Sequence, residues 1–288
     1  MLALYDIYLF VQIGHSCFMG IVKTRPLFLE KYVQCFYSVI ENEATNIIHR
    51  RLPDGTLDLV FNLGEAVSLS RDEVQFLPMP AVSLTGLYPN RNFICYAEKV
   101  HLVGVVFQPG TAHLFIKDSL EHIKASTIDA ADIFGRDIYL LREQLASLPS
   151  EPARHHFLEK LLMKYIGQFQ EEYHMHNIMQ AVRNIHVAEG NLDIGILHHE
   201  HLMSERNFRR KFVDFVGMGP KQYAGIIRIK SFSKRYKSSQ MNYNNILYDL
   251  GYSDQAHFNK DFRKIVGSSP GMYFKEMNPL AENFIHLI

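Results

Sequence analysis

"YDLGYSDQAHFNKDFRKIVGSSPGMYF" occupies residues 248–274, and it is three patterns joined end to end. An apolar–polar run ends at Gly251. A second run, opening at Ser253, carries Phe258, Phe262, Ile265 and Val266 at helical spacing. Gly267 and the pair Ser269-Pro270 then stop the chain and restart it. The pattern predicts two short helices separated by a tight turn. Gly251 suits that turn because glycine adopts positive φ without a Cβ clash.

The same pattern occurs earlier. Residues 204–223 read "SERNFRRKFVDFVGMGPKQY". Phe208, Phe212, Gly217, Pro220 and Tyr223 match Phe258, Phe262, Gly267, Pro270 and Tyr273, each fifty positions on. Such a period marks a duplicated supersecondary unit. The serines at the two helix starts, Ser204 and Ser253, are forty-nine apart, which implies one extra residue early in the second copy. The first copy has Leu202 where the second has Gly251, so its turn must form without glycine.

Helical geometry sorts the side chains. At about 100° per residue, Phe208, Phe212 and Phe215 share one face and must be buried. Arg206 and Arg210 lie opposite, flanked by Asn207 and Arg209. In the second copy Phe258, Phe262 and Ile265 point inward. Ala256 and Lys260 lie opposite, with His257 and Asn259 beside them and Gln255 near the helix start. Arginine suits guanine edges and phosphate, and asparagine suits adenine. In a helix-turn-helix, a short preceding helix braces the reading helix in the major groove. The candidate DNA contacts are therefore Arg206, Asn207, Arg209, Arg210, Gln255, Ala256, His257, Asn259 and Lys260, on reading helices expected at 204–215 and 253–265. The bland alternative is a helical bundle whose aromatics merely fill a core.

The rest of the chain frames this pair. Net charge is zero but unevenly spread: residues 191–288 carry 14 Lys+Arg against 9 Asp+Glu, and residues 204–237 carry 10 against 2. A basic third in a neutral chain is the electrostatic footprint of a polyanion partner. Residues 1–110 read as short strands between turns, as in "RLPDGTLDLVFNLGE" (51–65) and "HLVGVVFQPG" (101–110). Short strands between Gly/Pro turns indicate a barrel or sandwich. Ile138, Leu141, Leu145 and Leu148 mark a helix, and another starts near Ala153, able to pack on the strands or to dimerise. A boundary is expected at 168–176. Further helices are expected ending at Gly190, over 192–201, over 220–238 with exposed basic side chains, over 244–250 and after Pro270.

In this setting, residues 248–273 closely resemble the C-terminal signature of AraC/XylS-type bacterial transcription regulators. "LDIGILHHEHLMSERNFRRKFVDFVGMGPKQYAGIIRIK" (192–230) resembles the first half of their DNA-binding domain. The resemblance covers roughly 175–275. It implies two helix-turn-helix units joined by a linker helix at about 220–238, with operator double-stranded DNA as the partner. His198 and Leu247 replace the small residue usual in each bracing helix. "LPDGTLDLVFNLGE" and "VGVVFQPGTAHLF" resemble an N-terminal domain found on a subset of these regulators, β-barrel-like with trailing helices. The expected class is α+β: a β-rich sensing or dimerisation domain over 1–170, then an all-α DNA-binding domain over 171–288. A small-molecule effector at the N-terminal domain, a second copy of the chain and RNA polymerase are the further candidate partners.

Rival chemistries are weakly supported. "HHEH" (198–201) and "HMH" (174–176) suggest a metal, but no H-E-x-x-H spacing exists. Asp54 and Asp58 resemble a carboxylate pair, yet Asp54 is more simply a turn residue before Gly55. No catalytic residue, metal ligand or cofactor is expected. Three cysteines without metal-like spacing suit a reducing cytoplasm. No apolar run of about 18 residues predicts a membrane span. The start, "MLALYDIYLFVQIGHSCF", reads as a strand or buried segment more than a signal peptide.

Overall fold

The computed structural model describes residues 7–13, 17–42, 47–96, 99–116, 119–166, 173–200, 202–238 and 242–276. Eleven strands come first: β1 (Ile7–Ile13), β2 (Cys17–Thr24), β3 (Val33–Glu41), β4 (Ile47–Arg51), β5 (Leu57–Asn62), β6 (Val67–Ser70), β7 (Leu77–Pro78), β8 (Val82–Gly86), β9 (Asn92–Tyr96), β10 (Val100–Phe107) and β11 (Ser126–Asp129). They form a seven-stranded sheet, ordered β1-β2-β3-β10-β5-β8-β11, and a four-stranded sheet, ordered β4-β9-β6-β7. All pairings are antiparallel. Neither sheet closes on itself, so the β part is barrel-like only loosely.

Strand alternation divides the larger sheet between two cores. Cys35, Tyr37 and Val39 of β3, Val60 of β5 and Leu102 of β10 face the smaller sheet, where they meet Val67, Ile94 and Tyr96. Leu57, Leu59 and Phe61 of β5, with Val103, Val105 and Phe107 of β10, face the other way. That second face is covered by α1 (Ala131–Phe134), α2 (Ile138–Ser147) and α3 (Glu151–Ile166).

Helix α3 is held to the sheet by polar contacts. The buried His155 ring lies 2.8 Å from Thr24 Oγ1 through Nδ1 and 2.9 Å from Ser38 Oγ through Nε2. Ser38 Oγ donates its hydrogen to Glu151, which also accepts from Arg154 at 2.7 Å. A serine whose hydrogen goes to a carboxylate cannot give it to the histidine, so this cluster is a brace and not a nucleophile with its base. Asp54 is the turn residue the sequence suggests: its Oδ1 accepts from the Thr56 N–H at 2.9 Å.

The C-terminal helices are α4 (Tyr173–Val187), α5 (Leu197–Glu200), α6 (Glu205–Val216), α7 (Pro220–Ser238), α8 (Tyr243–Asp249), α9 (Gln255–Val266) and α10 (Pro270–Glu276). The helix expected over 192–201 is only the four residues of α5. Asp193 Oδ1 accepts from the Gly195 N–H at 2.8 Å, and this local turn competes with helix before Leu197. The boundary expected at 168–176 falls partly on residues 167–172, outside the described ones.

The first helical unit shares its core with the β part. Phe208, Phe212, Phe215 and Val216 of α6 and Tyr223 of α7 belong to one apolar cluster with Leu87, Leu120 and the face of the larger sheet. The second unit has its own core of Phe232, Ile246, Leu247, Leu250, Tyr252, Phe258, Phe262, Val266 and Tyr273.

Candidate nucleic-acid interface

Helices α6 and α9 are twelve residues each, and their ends are built alike. Ser204 caps α6, its hydroxyl accepting from the Asn207 N–H at 3.3 Å. Asp254, and not the expected Ser253, caps α9, its carboxylate accepting from the His257 N–H at 2.7 Å. The caps are therefore fifty residues apart while the turn residues Leu202 and Gly251 are forty-nine apart, so the extra residue of the second copy lies between turn and cap and not inside the helix. A carboxylate accepts from helix N–H groups better than a neighbouring hydroxyl does, and here Ser253 Oγ instead donates to Asp254 at 3.1 Å. Those donors hold the Asp254 carboxyl below the usual range, so it stays charged at neutral pH. Both helices end on a left-handed glycine, Gly217 at φ +77° and Gly267 at φ +82°.

The turns ahead of the two helices are also alike in backbone. Gly251 has φ +77°, and Leu202 adopts φ +52° despite its side chain, which is 88% exposed. Leu247, the large residue in the second bracing helix, is buried in the second core, while His198 is half-buried with its ring tilted against that of His199, centroids 3.9 Å apart. His201 lies outside the described residues. Among the described residues no group of three metal-binding side chains is brought together.

The inward faces are as expected. Phe208, Phe212, Phe258 and Phe262 are at most 1% exposed. Of the nine candidate contacts, Arg206, Arg209, Arg210, Gln255, Ala256, His257 and Lys260 are exposed, and Asn207 and Asn259 are half-buried. Arg210 donates to Asn207 Oδ1 at 3.0 Å, which joins the guanidinium and the amide into one polar edge. His257 stands edge-on to Tyr252 at 5.2 Å and lies 3.8 Å from Asp261. Arg209 stands apart from the Arg206–Arg210 stripe: it lines a groove between the helices with Glu205, Lys221, Asp261 and Lys264.

The basic side chains expected to be free on the linker helix are partly engaged within the protein. Arg228 stacks over Tyr252 at 5.1 Å and donates to the Gly190 carbonyl at 2.8 Å. Arg235 pairs with Glu189 and, at 3.2 Å, with Asp249. These cations tie the first unit to the second. Lys211 of α6 lies 5.7 Å over the Phe215 ring. No local pattern signals the Arg228 and Arg235 pairings, because each joins residues distant in sequence, whereas Lys211 and Phe215 are ordinary i,i+4 neighbours.

Two capped helices with buried phenylalanine faces, polar outer faces and a shared bracing geometry define a tandem helix-turn-helix protein. This region is similar to known helix-turn-helix proteins. Residues 199–276 match the family described as a helix-turn-helix domain, and residues 26–129 match a domain of unknown function, DUF6597. An uncharacterized HTH-type transcriptional regulator of Haemophilus influenzae is 34% identical over 76 residues, which is 26% of this chain and 26% of that protein. ToxT from Vibrio cholerae is 12% identical, aligned over 84% of this chain and 99% of its own, with a TM-score of 0.43. The AraC-like transcriptional activator CuxR is 12% identical over 78% of this chain and 85% of its own, with a TM-score of 0.31. Residues 199–276 therefore carry a helix-turn-helix domain similar to that of a transcriptional regulator, and the chain spans about a quarter of that relative's length in the match. No helix among the described residues is long and apolar enough to cross a membrane.

Proposed function

We propose that the chain is a sequence-specific transcription regulator that reads operator DNA with α6 and α9 in successive major grooves. One observation carries this reading: the fifty-residue repeat reproduces cap, buried face, polar face and left-handed glycine in both helices. Arg206, Arg210 and Asn207 form the outward edge of the first helix, and Gln255, Ala256, His257 and Lys260 that of the second. Arg209 serves phosphate from the groove, and Asn259 supports the second helix from its flank. The N-terminal part, with its boundary near 170, is proposed to bias reading when an effector or a second copy binds it. Its shared core with the first unit supports that coupling. RNA polymerase is the proposed downstream partner.

The test is selection of DNA from a random pool by the full-length chain, followed by affinity measurements on the selected sequence. Arg210→Ala and Lys260→Ala should each weaken binding by about 1–3 kcal/mol if they touch bases. Unchanged affinity in both variants at moderate salt removes α6 and α9 as the reading elements.

A further inference from the structure

The short connection between β8 and β9, residues 87–91, touches the C-terminal end of both reading helices. At one end Leu87 is buried against Gly217, where a Cβ on the glycine would lie 2.5 Å from the leucine side chain. At the other end the Arg91 backbone N–H donates to the Ile265 carbonyl at 2.9 Å. The Arg91 guanidinium occupies the place where a Gly267 side chain would be, with the Phe93 ring 5.5 Å away on another side. Between them, Asn90 in the orientation that satisfies both its amide atoms donates to the Lys264 carbonyl at 2.8 Å.

Gly217 and Gly267 are equivalent positions of the repeat, so one loop grips the same point on both copies. Four residue steps reach at most about 14 Å, which bounds how far apart the two grips can be. The loop is also stiff. Leu87 holds φ +54°, Pro89 has a fixed φ, and the ends are anchored in different sheets. A cation at a helix C-terminus is favoured by the exposed carbonyls there. Arg228 and Arg235 tie the two units along α7, and residues 87–91 add a second tie at the ends of the reading helices, between units whose apolar cores are separate.

We infer that residues 87–91 position the second reading helix relative to the first, so that the β part sets the spacing between the two DNA elements. This rests on the DNA-reading function proposed above. Asn90 and Arg91 are positioning residues here, acting through the helix they hold and touching no base.

The experiment uses the full-length chain and its selected DNA, with one base pair inserted or deleted between the two recognised elements. Each such change moves the second element about 3.4 Å along the duplex and about 35° around it. The wild type is expected to lose about tenfold or more in affinity per step, a loss comparable to one mismatched base pair. The double variant Asn90→Ala, Arg91→Ala should flatten this to less than about threefold, with base preference within each element unchanged. A second variant, two glycines inserted between Asn90 and Arg91, keeps every side chain and should flatten the profile in the same way. A spacing profile as sharp as the wild type's in both variants, each melting like the wild type, overturns the inference while leaving DNA reading intact. Absence of any selected sequence for the wild type overturns the DNA-reading function and the inference with it.

Discussion

Arg206 and Arg210 are exposed and one turn apart on α6, whereas the equivalent positions on α9 are Ala256 and Lys260. Arg209 adds a third cation, in the groove. The front of α9 carries Gln255, His257 and Asn259, and Asp254 beside them is charged. Cations at phosphates release counterions, whereas neutral amides do not. The first unit is therefore expected to supply most of the salt dependence. Arg206→Ala or Arg209→Ala should reduce the log–log salt slope by about 1 if that residue neutralises a phosphate, while Gln255→Ala should leave the slope and change base preference. Affinity titrations from low to moderate salt check this. A flattened slope in the Gln255 variant alone would show the assignment of roles to be backwards.

Between the bracing and reading helices the two copies solve the same turn with different residues. Leu202 holds a left-handed conformation that Gly251 adopts without a side chain. For a non-glycine residue that conformation costs about 1–2 kcal/mol. Leu202→Gly should raise stability by up to about 1 kcal/mol, since glycine's greater unfolded freedom offsets part of the relief. Gly251→Leu should do the opposite, with its Cβ placed 2.1 Å from Asn191 Oδ1 in addition to the strain. Urea unfolding of both variants decides it, and a destabilised Leu202→Gly protein contradicts the strain account. Within α9, Phe262 is fully buried among Phe232, Tyr273 and Phe274. Phe262→Ala should cost about 3–5 kcal/mol and lose DNA binding only as the unit unfolds. Lost binding with an unchanged melt would make Phe262 a contact residue instead.

Two buried titratable groups sit on the smaller sheet side of the β part and oppose each other in pH. Burial lowers the His49 imidazole to about 4. Burial raises the Asp58 carboxyl to about 7, against the pull of Arg51 at 3.6 Å. The lowered histidine contributes stability that is full above its unfolded value, about 6.5, and is lost as pH falls toward 4. The raised carboxyl contributes stability that is full below its unfolded value, about 3.9, and is lost as pH rises through 7. Between about pH 4 and 6.5 the two slopes have opposite sign, each at most about 1.4 kcal/mol per pH unit. His49→Phe, which keeps the ring against Tyr96, should unmask the carboxyl, so that stability falls as pH rises across this window. Denaturant midpoints at three pH values compare the variant with the wild type. Equal pH slopes would show that His49 is not the compensating group.

Local chemistry sufficed for the repeat, because its signals are short-range. Phenylalanines four apart must share a buried face, a glycine must follow the helix, and a cap must precede it. The short strands were legible for the same reason, through Pro53-Asp54-Gly55 and the alternation along 57–62 and 101–107. Sequence reading failed where neighbours compete for one role, as with Ser253 and Asp254 at the cap of α9, and where a local turn at Asp193–Gly195 shortened the bracing helix. It could not show that Arg228 and Arg235 of the linker helix are engaged within the protein, since their partners lie 14 to 46 residues away in sequence. The grip of residues 87–91 on Gly217 and Gly267 was invisible for a stronger form of that reason. It joins the loop to two helix ends that each lie more than a hundred residues further along the chain, and only packing of the β part against both helical units brings them within bonding distance.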